Sequence, residues 1–179
     1  DVSLYPRGIG NIQEKPTMPE HCPEVHGFAA ASNGVALRFG LFPFVEPSTR
    51  SGRRYARVAP GAEIIGVESI TGAENILAVS ADCRTMVCPA VEVNYLSGPG
   101  KGVTLIKLAK TDRLVGFKAS SGDRDLLVVE TNRGAQKTIS TAKYRITSRG
   151  GRGTEIQKNG KISSIVTQPP AAPEPLPES

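Results

Sequence analysis

Residues 126–137 read Leu126-Leu-Val-Val-Glu-Thr-Asn-Arg-Gly-Ala-Gln-Lys, which is a short apolar run, a turn signal and the start of a second run. Two earlier stretches follow the same order, Phe28-Ala-Ala-Ala-Ser-Asn-Gly-Val-Ala-Leu-Arg-Phe and Ile76-Leu-Ala-Val-Ser-Ala-Asp-Cys-Arg-Thr-Met-Val. Asn, Asp and Gly at such junctions supply the positive-φ or Asx conformations that a tight hairpin needs. The sequence therefore predicts three β-hairpins, which begin 48 and 50 residues apart.

Each copy continues with a loop of glycine and basic residues and then with another apolar strand. The loops cover residues 49–57, 97–102 and 148–153, and the strands follow near residues 63, 113 and 161. A period near 50 residues with about four short strands per unit is typical of propeller-like blades. No segment longer than about ten residues has helical periodicity. We therefore expect an all-β fold with three blades at about 27–72, 73–119 and 120–167. Three blades are too few for a usual propeller of about 4–8, so the ring should be open or incomplete.

The two ends of the chain differ from this repeated part. Residues 1–26 contain four prolines and little periodicity, which indicates a linker or the remnant of a preceding element. Residues 168–179 contain five prolines and two acidic residues, which predicts a disordered, Pro-rich acidic tail.

The charge of the chain is concentrated in the repeats. The whole chain carries +5, whereas residues 27–168 carry +9 and both ends are acidic. A basic body of this kind favours a polyanion as partner, although ordinary solubility charge is the simpler reading. Glycine lets a backbone approach a ligand closely, and neighbouring Arg and Lys match phosphate. Because the loops recur at one place in each repeat, we expect them to form a basic track that contacts duplex phosphates without reading bases.

The third copy resembles a known family, the C-terminal domains of bacterial type IIA topoisomerase A subunits, which include DNA gyrase and topoisomerase IV. The resemblance rests on residues 125–145, with a Lys before a polar run that ends in Tyr144, and on the loop Ser148-Arg-Gly-Gly-Arg-Gly. It implies a β-pinwheel, which is a hairpin-exchanged propeller, with DNA bent or wrapped around a basic rim. The candidate DNA-binding residues are Arg149, Gly150, Gly151, Arg152 and Gly153, with Lys101, Arg50, Arg53, Arg54, Arg57, Arg133, Lys137, Lys143 and Arg145.

The resemblance also implies a place in a larger enzyme. The chain would present duplex DNA to the catalytic core of an A subunit, which works with an ATPase B subunit in the cytoplasm. The gyrase box, with Gln at its head and paired Arg before Gly-Gly-Lys-Gly, is absent, which favours a topoisomerase IV-like or degenerate subunit. A propeller-type protein-interaction module is the alternative, but such a module does not require Arg or Lys in all three loops.

Catalytic and cofactor sites are not indicated. Neither a nucleophilic Tyr beside an Arg nor an acidic cluster for magnesium is recognisable, so we expect a non-catalytic accessory domain without cofactors. His21, Cys22 and His26 lie close together but lack a second ligand pair at zinc-finger spacing, so we expect no metal site. Three cysteines argue against a disulfide scaffold and favour a reducing cytosol. No apolar run approaches ~18 residues, so we expect no membrane helix.

Overall fold

A computed structural model describes residues 21–47, 51–122 and 125–166 of the chain. Most of the predicted linker at 1–26, the predicted tail at 168–179 and Arg50 lie outside the described residues. Twelve strands lie within them: β1 (His26–Ala31), β2 (Val35–Phe39), β3 (Ile64–Ile70), β4 (Asn75–Ser80), β5 (Arg84–Pro89), β6 (Tyr95–Leu96), β7 (Val103–Thr104), β8 (Leu114–Ser120), β9 (Leu126–Thr131), β10 (Gln136–Ser140), β11 (Thr154–Glu155) and β12 (Ile162–Ile165). Three one-turn 3-10 helices, Phe42–Phe44, Ala90–Glu92 and Thr141–Lys143, follow β2, β5 and β10.

The three predicted hairpins are β1–β2, β4–β5 and β9–β10, all antiparallel. Each turn closes with a backbone hydrogen bond, and the N–H of Gly34 donates to the carbonyl of Ala31 at 2.9 Å in the first. Gly34 and Gly134 have φ of 80° and 75° at this position, and Cys83 takes the same left-handed conformation at φ 58° in the second hairpin. The turn geometry thus overrides the side-chain preference at Cys83, since non-Gly residues rarely adopt positive φ.

Neighbouring sheets exchange strands. In sheet 1 the order is β3-β1-β2-β6, and β7 also pairs with β2, although β6 and β7 follow the second hairpin. Sheet 2 has the order β11-β5-β4-β8, where β11 follows the third hairpin. Sheet 3 has the order β10-β9-β12. The predicted all-β, hairpin-exchanged arrangement is confirmed. Sheet 3 has three strands and not the predicted four, because no strand of the described residues pairs with the outer edge of β10.

Glycines make the exchange possible. Gly102 and Gly153 precede β7 and β11, with φ of 74° and 68°. A Cβ at Gly102 would overlap the carbonyl oxygen of Ala36, and one at Gly153 would lie 2.5 Å from that of Thr85. Only glycine lets the exchanged strand enter so close to the strand that receives it.

Two apolar layers hold the three sheets together. Between sheets 1 and 2 the rings of Phe28 and Phe117 lie 5.1 Å apart, and Leu105 next to β7 is fully buried. Between sheets 2 and 3, Leu77 and Val79 of β4 pack against Val129 of β9 in a second buried cluster. β4 is buried along nearly its whole length because both of its faces are covered, as its uninterrupted apolar sequence requires.

A third cluster lies on the far face of sheet 1. There the ring of Phe39 stacks on Tyr55 at 4.4 Å and meets Phe44 edge-on at 5.8 Å. The predicted limits of the three blades stay a prediction, since two of the sheets contain strands from two predicted blades.

Candidate nucleic-acid interface

Backbone hydrogen bonds join the three glycine/basic loops, the second one together with the segment 103–107 that follows it. The N–H of Arg57 donates to the carbonyl of Gly100 at 2.8 Å, which joins the first loop to the second. The N–H of Lys107 donates to the carbonyl of Gly151 at 2.8 Å, and the N–H of Gly150 donates to that of Leu105 at 2.6 Å. Residues 51–57, 97–107 and 148–153 therefore form one continuous surface, here called the basic ridge.

Five basic side chains on the ridge are exposed to solvent: Arg54, Arg57, Lys101, Lys107 and Arg152. Each of the three loops contributes at least one of them. Exposed Arg and Lys side chains on connected loops provide the kind of surface that holds a phosphate backbone without base-specific contacts.

Arg149, by contrast, is bound within the protein. Its Nε donates to the carbonyl of Glu92 at 2.8 Å and its Nη1 to that of Thr104 at 3.1 Å. Its backbone N–H also donates to Oε2 of Glu92 at 2.9 Å. Arg149 thus connects the third loop to the 3-10 helix after β5 and to β7.

Arg53 is also engaged, because its Nη1 donates to the carbonyl of Pro43 and, at 3.5 Å, to that of Glu46. Arg53 is half-buried, whereas its neighbour Arg54 is exposed. Among the predicted basic residues that the structure describes in these loops, Arg53 and Arg149 therefore bind main-chain carbonyls of the protein, whereas the others face solvent.

The other predicted basic residues lie outside the three loops in the sequence. Arg133 is exposed in the turn between β9 and β10, and Lys143 and Arg145 are exposed at and after the last 3-10 helix. Lys137 on β10 is half-buried, and its Nζ donates to the carbonyl of Ile156 at 3.2 Å and to Oε1 of Gln157 at 3.3 Å. The structure does not join these four residues to the ridge by any hydrogen bond among the described residues.

Lys107 is a ridge residue that the sequence analysis missed. It lies in the apolar run 103–108 and not beside the loop glycines. An alignment of the repeats could have found it, because Lys107 occupies the place of Arg57. Arg57 lies two residues before the turn in which the N–H of Ala62 donates to Ala59. Lys107 lies two residues before the corresponding turn, in which the N–H of Asp112 donates to Ala109.

Acidic side chains near the ridge are themselves occupied. Oδ1 of Asp82 lies 2.8 Å from Nζ of Lys161, and this hydrogen bond raises the pKa of the exposed Lys161 ammonium. Oδ1 of Asp112 accepts the N–H groups of Asp82 and Arg113 at 2.9 and 2.8 Å. These carboxylates lie with Lys107, Arg84 and Arg152 around a cavity of about 270 Å³.

A larger cavity of about 520 Å³ lies beside the first two loops. Its walls are mostly apolar and include Leu37, Ile64 and Val58, while Arg57 and Lys101 line it as well. The two cations thus have an apolar surface behind them, which weakens the competition from water for anions at this position.

Burial favours the protonated form of four side chains that could act as nucleophiles, three tyrosines and one cysteine. Burial raises the pKa of the phenols of Tyr55, Tyr95 and Tyr144, which keeps them protonated at neutral pH. Burial also raises the pKa of the Cys88 thiol to about 12, with the Glu92 carboxylate adding to the effect and Arg149 opposing it. Within residues 21–47, 51–122 and 125–166, no three His, Cys, Asp or Glu side chains gather as metal ligands, and no helix is long and apolar enough to cross a membrane.

Comparison with known proteins gives one consistent family. The model of the DNA gyrase C-terminal domain, a β-propeller, matches residues 96–121 and 125–168. The DNA gyrase A subunit of Staphylococcus epidermidis is 29% identical over 143 residues, which are 77% of this chain and 16% of that subunit. The Helicobacter pylori subunit is 29% identical over 140 residues, 75% of this chain and 17% of that subunit.

Two solved domains have the same fold. The C-terminal domain of DNA topoisomerase IV matches with a TM-score of 0.71 and 17% identity, over 87% of this chain and 48% of that one. The C-terminal domain of DNA gyrase A matches with a TM-score of 0.67 and 18% identity, over 82% and 50%. The chain spans about half of these domains and about one sixth of the gyrase subunits.

The predicted β-pinwheel is therefore confirmed. The strand exchange, the family match and the two solved domains agree with one another. On this evidence the chain is similar in sequence and fold to the C-terminal domains of bacterial type IIA topoisomerase A subunits, which include those of DNA gyrase and topoisomerase IV.

Proposed function

We propose that this chain binds duplex DNA along the basic ridge, without sequence preference, and bends the DNA that it binds. The observation that carries the proposal is the hydrogen-bonded contact of the three loops, Arg57 with Gly100 and Lys107 with Gly151. Because of these contacts the exposed cations of three repeats follow one another on one surface. A duplex that touches all of them has to follow the path on which these contacts place them, and we expect that path to bend the DNA.

The chemistry of the ridge favours phosphate over bases. Its donors are exposed Arg and Lys side chains, and the longest helices of the described chain are single 3-10 turns. Readout in the major groove normally uses an α-helix or a two-stranded ribbon that enters the groove. Binding should therefore be electrostatic and should depend strongly on salt.

The proposed role in a larger enzyme follows from the relatives. Within a type IIA topoisomerase, the chain would hold the DNA segment next to the catalytic core of the A subunit, and an ATPase B subunit would drive strand passage. The chemistry of cleavage belongs to that core, and the chain itself contributes the DNA path.

Fluorescence anisotropy with labelled duplexes of unrelated sequence tests binding, and energy transfer between dyes at the two duplex ends tests bending. We expect equal affinities for all sequences, a log–log salt slope of about −4 to −5 for about five neutralised phosphates, and closer duplex ends on binding. An affinity that does not depend on salt, or a marked preference for one sequence, would contradict the proposal. So would a chain that binds other proteins but not DNA. The last result would support the protein-interaction alternative.

A further inference from the structure

The third loop of the basic ridge contains two adjacent glycines directly before its exposed cation. Gly150 has φ 82°, Gly151 follows it, and the next residue is the exposed Arg152. Glycine loses more conformational freedom on ordering than any other residue, so such a pair does not keep one conformation by itself. The contacts that hold the main chain of this loop therefore decide where the guanidinium group of Arg152 stands.

Each of the residues 149–151 is held by a main-chain hydrogen bond. The N–H of Gly150 and the carbonyl of Gly151 bind main-chain groups of the segment 103–107, at 2.6 and 2.8 Å. The N–H of Arg149 donates instead to Oε2 of Glu92 at 2.9 Å. Main-chain partners are available in any sequence, whereas the partner of Arg149 is a side chain. Of these three bonds, only the one to Glu92 depends on which residue stands there.

The carboxylate contact is specific to the second repeat. Counting from the hairpin turns, Glu92 corresponds to Pro43 in the first repeat and to Lys143 in the third. The carbonyls of Pro43 and Glu92 each accept a bond from the side chain of a loop arginine, so that contact is shared by two repeats. Neither Pro nor Lys has an acceptor in its side chain. Glu92 therefore adds a contact that the repeated fold does not require.

The 3-10 helix that carries Glu92 is itself fixed from the other side. Nε of Arg38 on β2 donates to the carbonyl of Val93 at 2.6 Å, and its Nη2 donates to that of Val91 at 3.4 Å. Three successive carbonyls thus accept guanidinium donors, two from sheet 1 and one from the third loop. The carboxylate of Glu92 is therefore attached to a fixed point between sheets 1 and 2.

The charge of Glu92 is unfavourable for the proposed partner. A carboxylate next to a ridge that binds DNA repels the phosphates. The side-chain bonds of Arg149 do not replace the contact, because they hold the end of a long, flexible side chain and not its main chain. A benefit from Glu92 would thus come from the position that it gives to the loop, and it would have the opposite sign to the effect of its charge.

We propose that Glu92 is a positioning residue for DNA binding: its carboxylate holds the main chain of the third loop, so that Arg152 reaches the phosphates. This inference rests on the proposed function, since it assumes that duplex DNA binds along the ridge. Glu92 itself does not touch the DNA and acts through the N–H of Arg149. Position and charge therefore predict opposite effects when the carboxylate is removed.

Anisotropy titrations of a labelled duplex over a range of salt concentrations test the proposal. Glu92→Ala should weaken binding about three- to tenfold near 0.1 M salt and lower the magnitude of the salt slope by about 0.9, because one phosphate contact is lost. A carboxylate that only repels DNA predicts tighter binding instead. Glu92→Gln should bind at least as tightly as the wild type, because its amide oxygen still accepts the N–H of Arg149 and the charge is gone.

Two further variants separate position from charge. Glu92→Asp keeps the charge but withdraws the carboxylate by one methylene, so it should weaken binding as Glu92→Ala does, and it serves if Glu92→Ala folds poorly. Glu155→Ala is the matched control, because Glu155 on β11 follows the same loop and is exposed. It removes the same charge without releasing the loop, and it should bind at least as tightly as the wild type.

Hydrogen exchange gives a readout that needs no DNA. The amide of Arg149 should exchange at least about tenfold faster in Glu92→Ala than in the wild type, and at nearly the wild-type rate in Glu92→Gln. Circular dichroism and thermal unfolding of each variant show whether the fold is kept.

The outcomes distinguish this inference from the proposed function. A wild-type chain that does not bind duplex DNA would overturn both. A wild-type chain that binds with the expected salt slope, together with a folded Glu92→Ala chain that binds equally or more tightly, would overturn only the role of Glu92. So would a Glu92→Gln chain that loses as much affinity as Glu92→Ala, since the acceptor would then not be what matters.

Discussion

At the scale of single residues, the structure separates arginines that the sequence treats as equivalent. Arg149 and Arg152 flank the same glycine pair, yet Nε and Nη1 of Arg149 bind the carbonyls of Glu92 and Thr104, while Arg152 is exposed. A sequence pattern reports which residues are charged, but it does not report which main-chain carbonyls lie near them after folding. The candidate loop was predictable from the sequence. The sequence did not indicate that Arg149 binds main-chain carbonyls while Arg152 faces solvent.

Replacing these two arginines one at a time should give opposite results. Arg152→Ala should lower the salt slope of DNA binding by about 0.9, for one lost phosphate contact, with a nearly unchanged melting temperature. Arg149→Ala should lower stability by about 1–2 kcal/mol, because two main-chain carbonyls lose a donor, and change the salt slope less. Thermal unfolding and anisotropy titrations on both variants measure this. Equal effects of the two substitutions on the salt slope would contradict the division.

A second prediction at this scale concerns Glu68 of β3. Its Oε2 accepts the N–H of Ala119 of β8 at 2.9 Å, which joins sheets 1 and 2. Burial nevertheless raises the pKa of the Glu68 carboxyl, against the opposing effects of that hydrogen bond and of Lys118. A raised pKa means that the charged form is less favourable in the folded chain than in the unfolded chain. Glu68 therefore costs stability above its raised pKa, and this cost disappears as the pH falls below its ordinary pKa.

Glu68→Gln should accordingly stabilise the chain at neutral pH, since the amide oxygen still accepts the bond from Ala119 and no charge is desolvated. We expect a rise in melting temperature of roughly 1–4 °C at pH 7 that vanishes near pH 4, measured by thermal unfolding across this range. The exposed Glu24 provides the control, because Glu24→Gln removes the same charge from solvent. A melting temperature that falls at pH 7 would mean that the bond to Ala119 outweighs the desolvation.

At the scale of elements, the hairpins and the exchanged strands differ in how far sequence reasoning reaches. The hairpins were predictable because their turn signals, such as Asn33-Gly34 and Asn132-Arg133-Gly134, act within a few residues. The pairing of β7 with β2 joins residues almost 70 positions apart, for which the chain carries no local signal. The period of about 50 residues indicated that sheets would stack, and only the resemblance implied that they would exchange strands.

Glycines at the exchange points give a test of this pairing. Gly153→Ala should destabilise the chain by about 2–4 kcal/mol, because it adds a steric clash with the carbonyl of Thr85 to the cost of a left-handed alanine. Gly52→Ala, with the same φ but open space around it, should cost only ~1 kcal/mol. Denaturant unfolding of the two variants measures both losses. Equal losses of stability in the two variants would show that the close approach of residue 153 to β5 does not contribute to the cost of the substitution.

At the scale of the whole molecule, the stacking of three sheets brings three loops onto one surface, although each loop alone is weak evidence for a binding site. A single loop of glycine and basic residues is an ordinary turn, and +9 over residues 27–168 is a moderate charge. The contacts of Arg57 with Gly100 and of Lys107 with Gly151 place these charges in succession. The proposed DNA path is therefore a property of the repeated fold and not of any one motif.

One measurement tests this central claim most directly: the salt dependence of duplex binding by two triple variants with the same loss of charge. The first variant combines Arg57→Ala, Lys101→Ala and Arg152→Ala, one exposed residue from each ridge loop. The second combines Lys110→Ala and Arg113→Ala, which are exposed outside the ridge, with Lys15→Ala in the predicted linker. We predict that the ridge variant loses about 3 from the magnitude of its log–log salt slope, while the control variant keeps the wild-type slope to within about 1. Equal slopes for the two variants would mean that net charge, and not the ridge, holds the DNA.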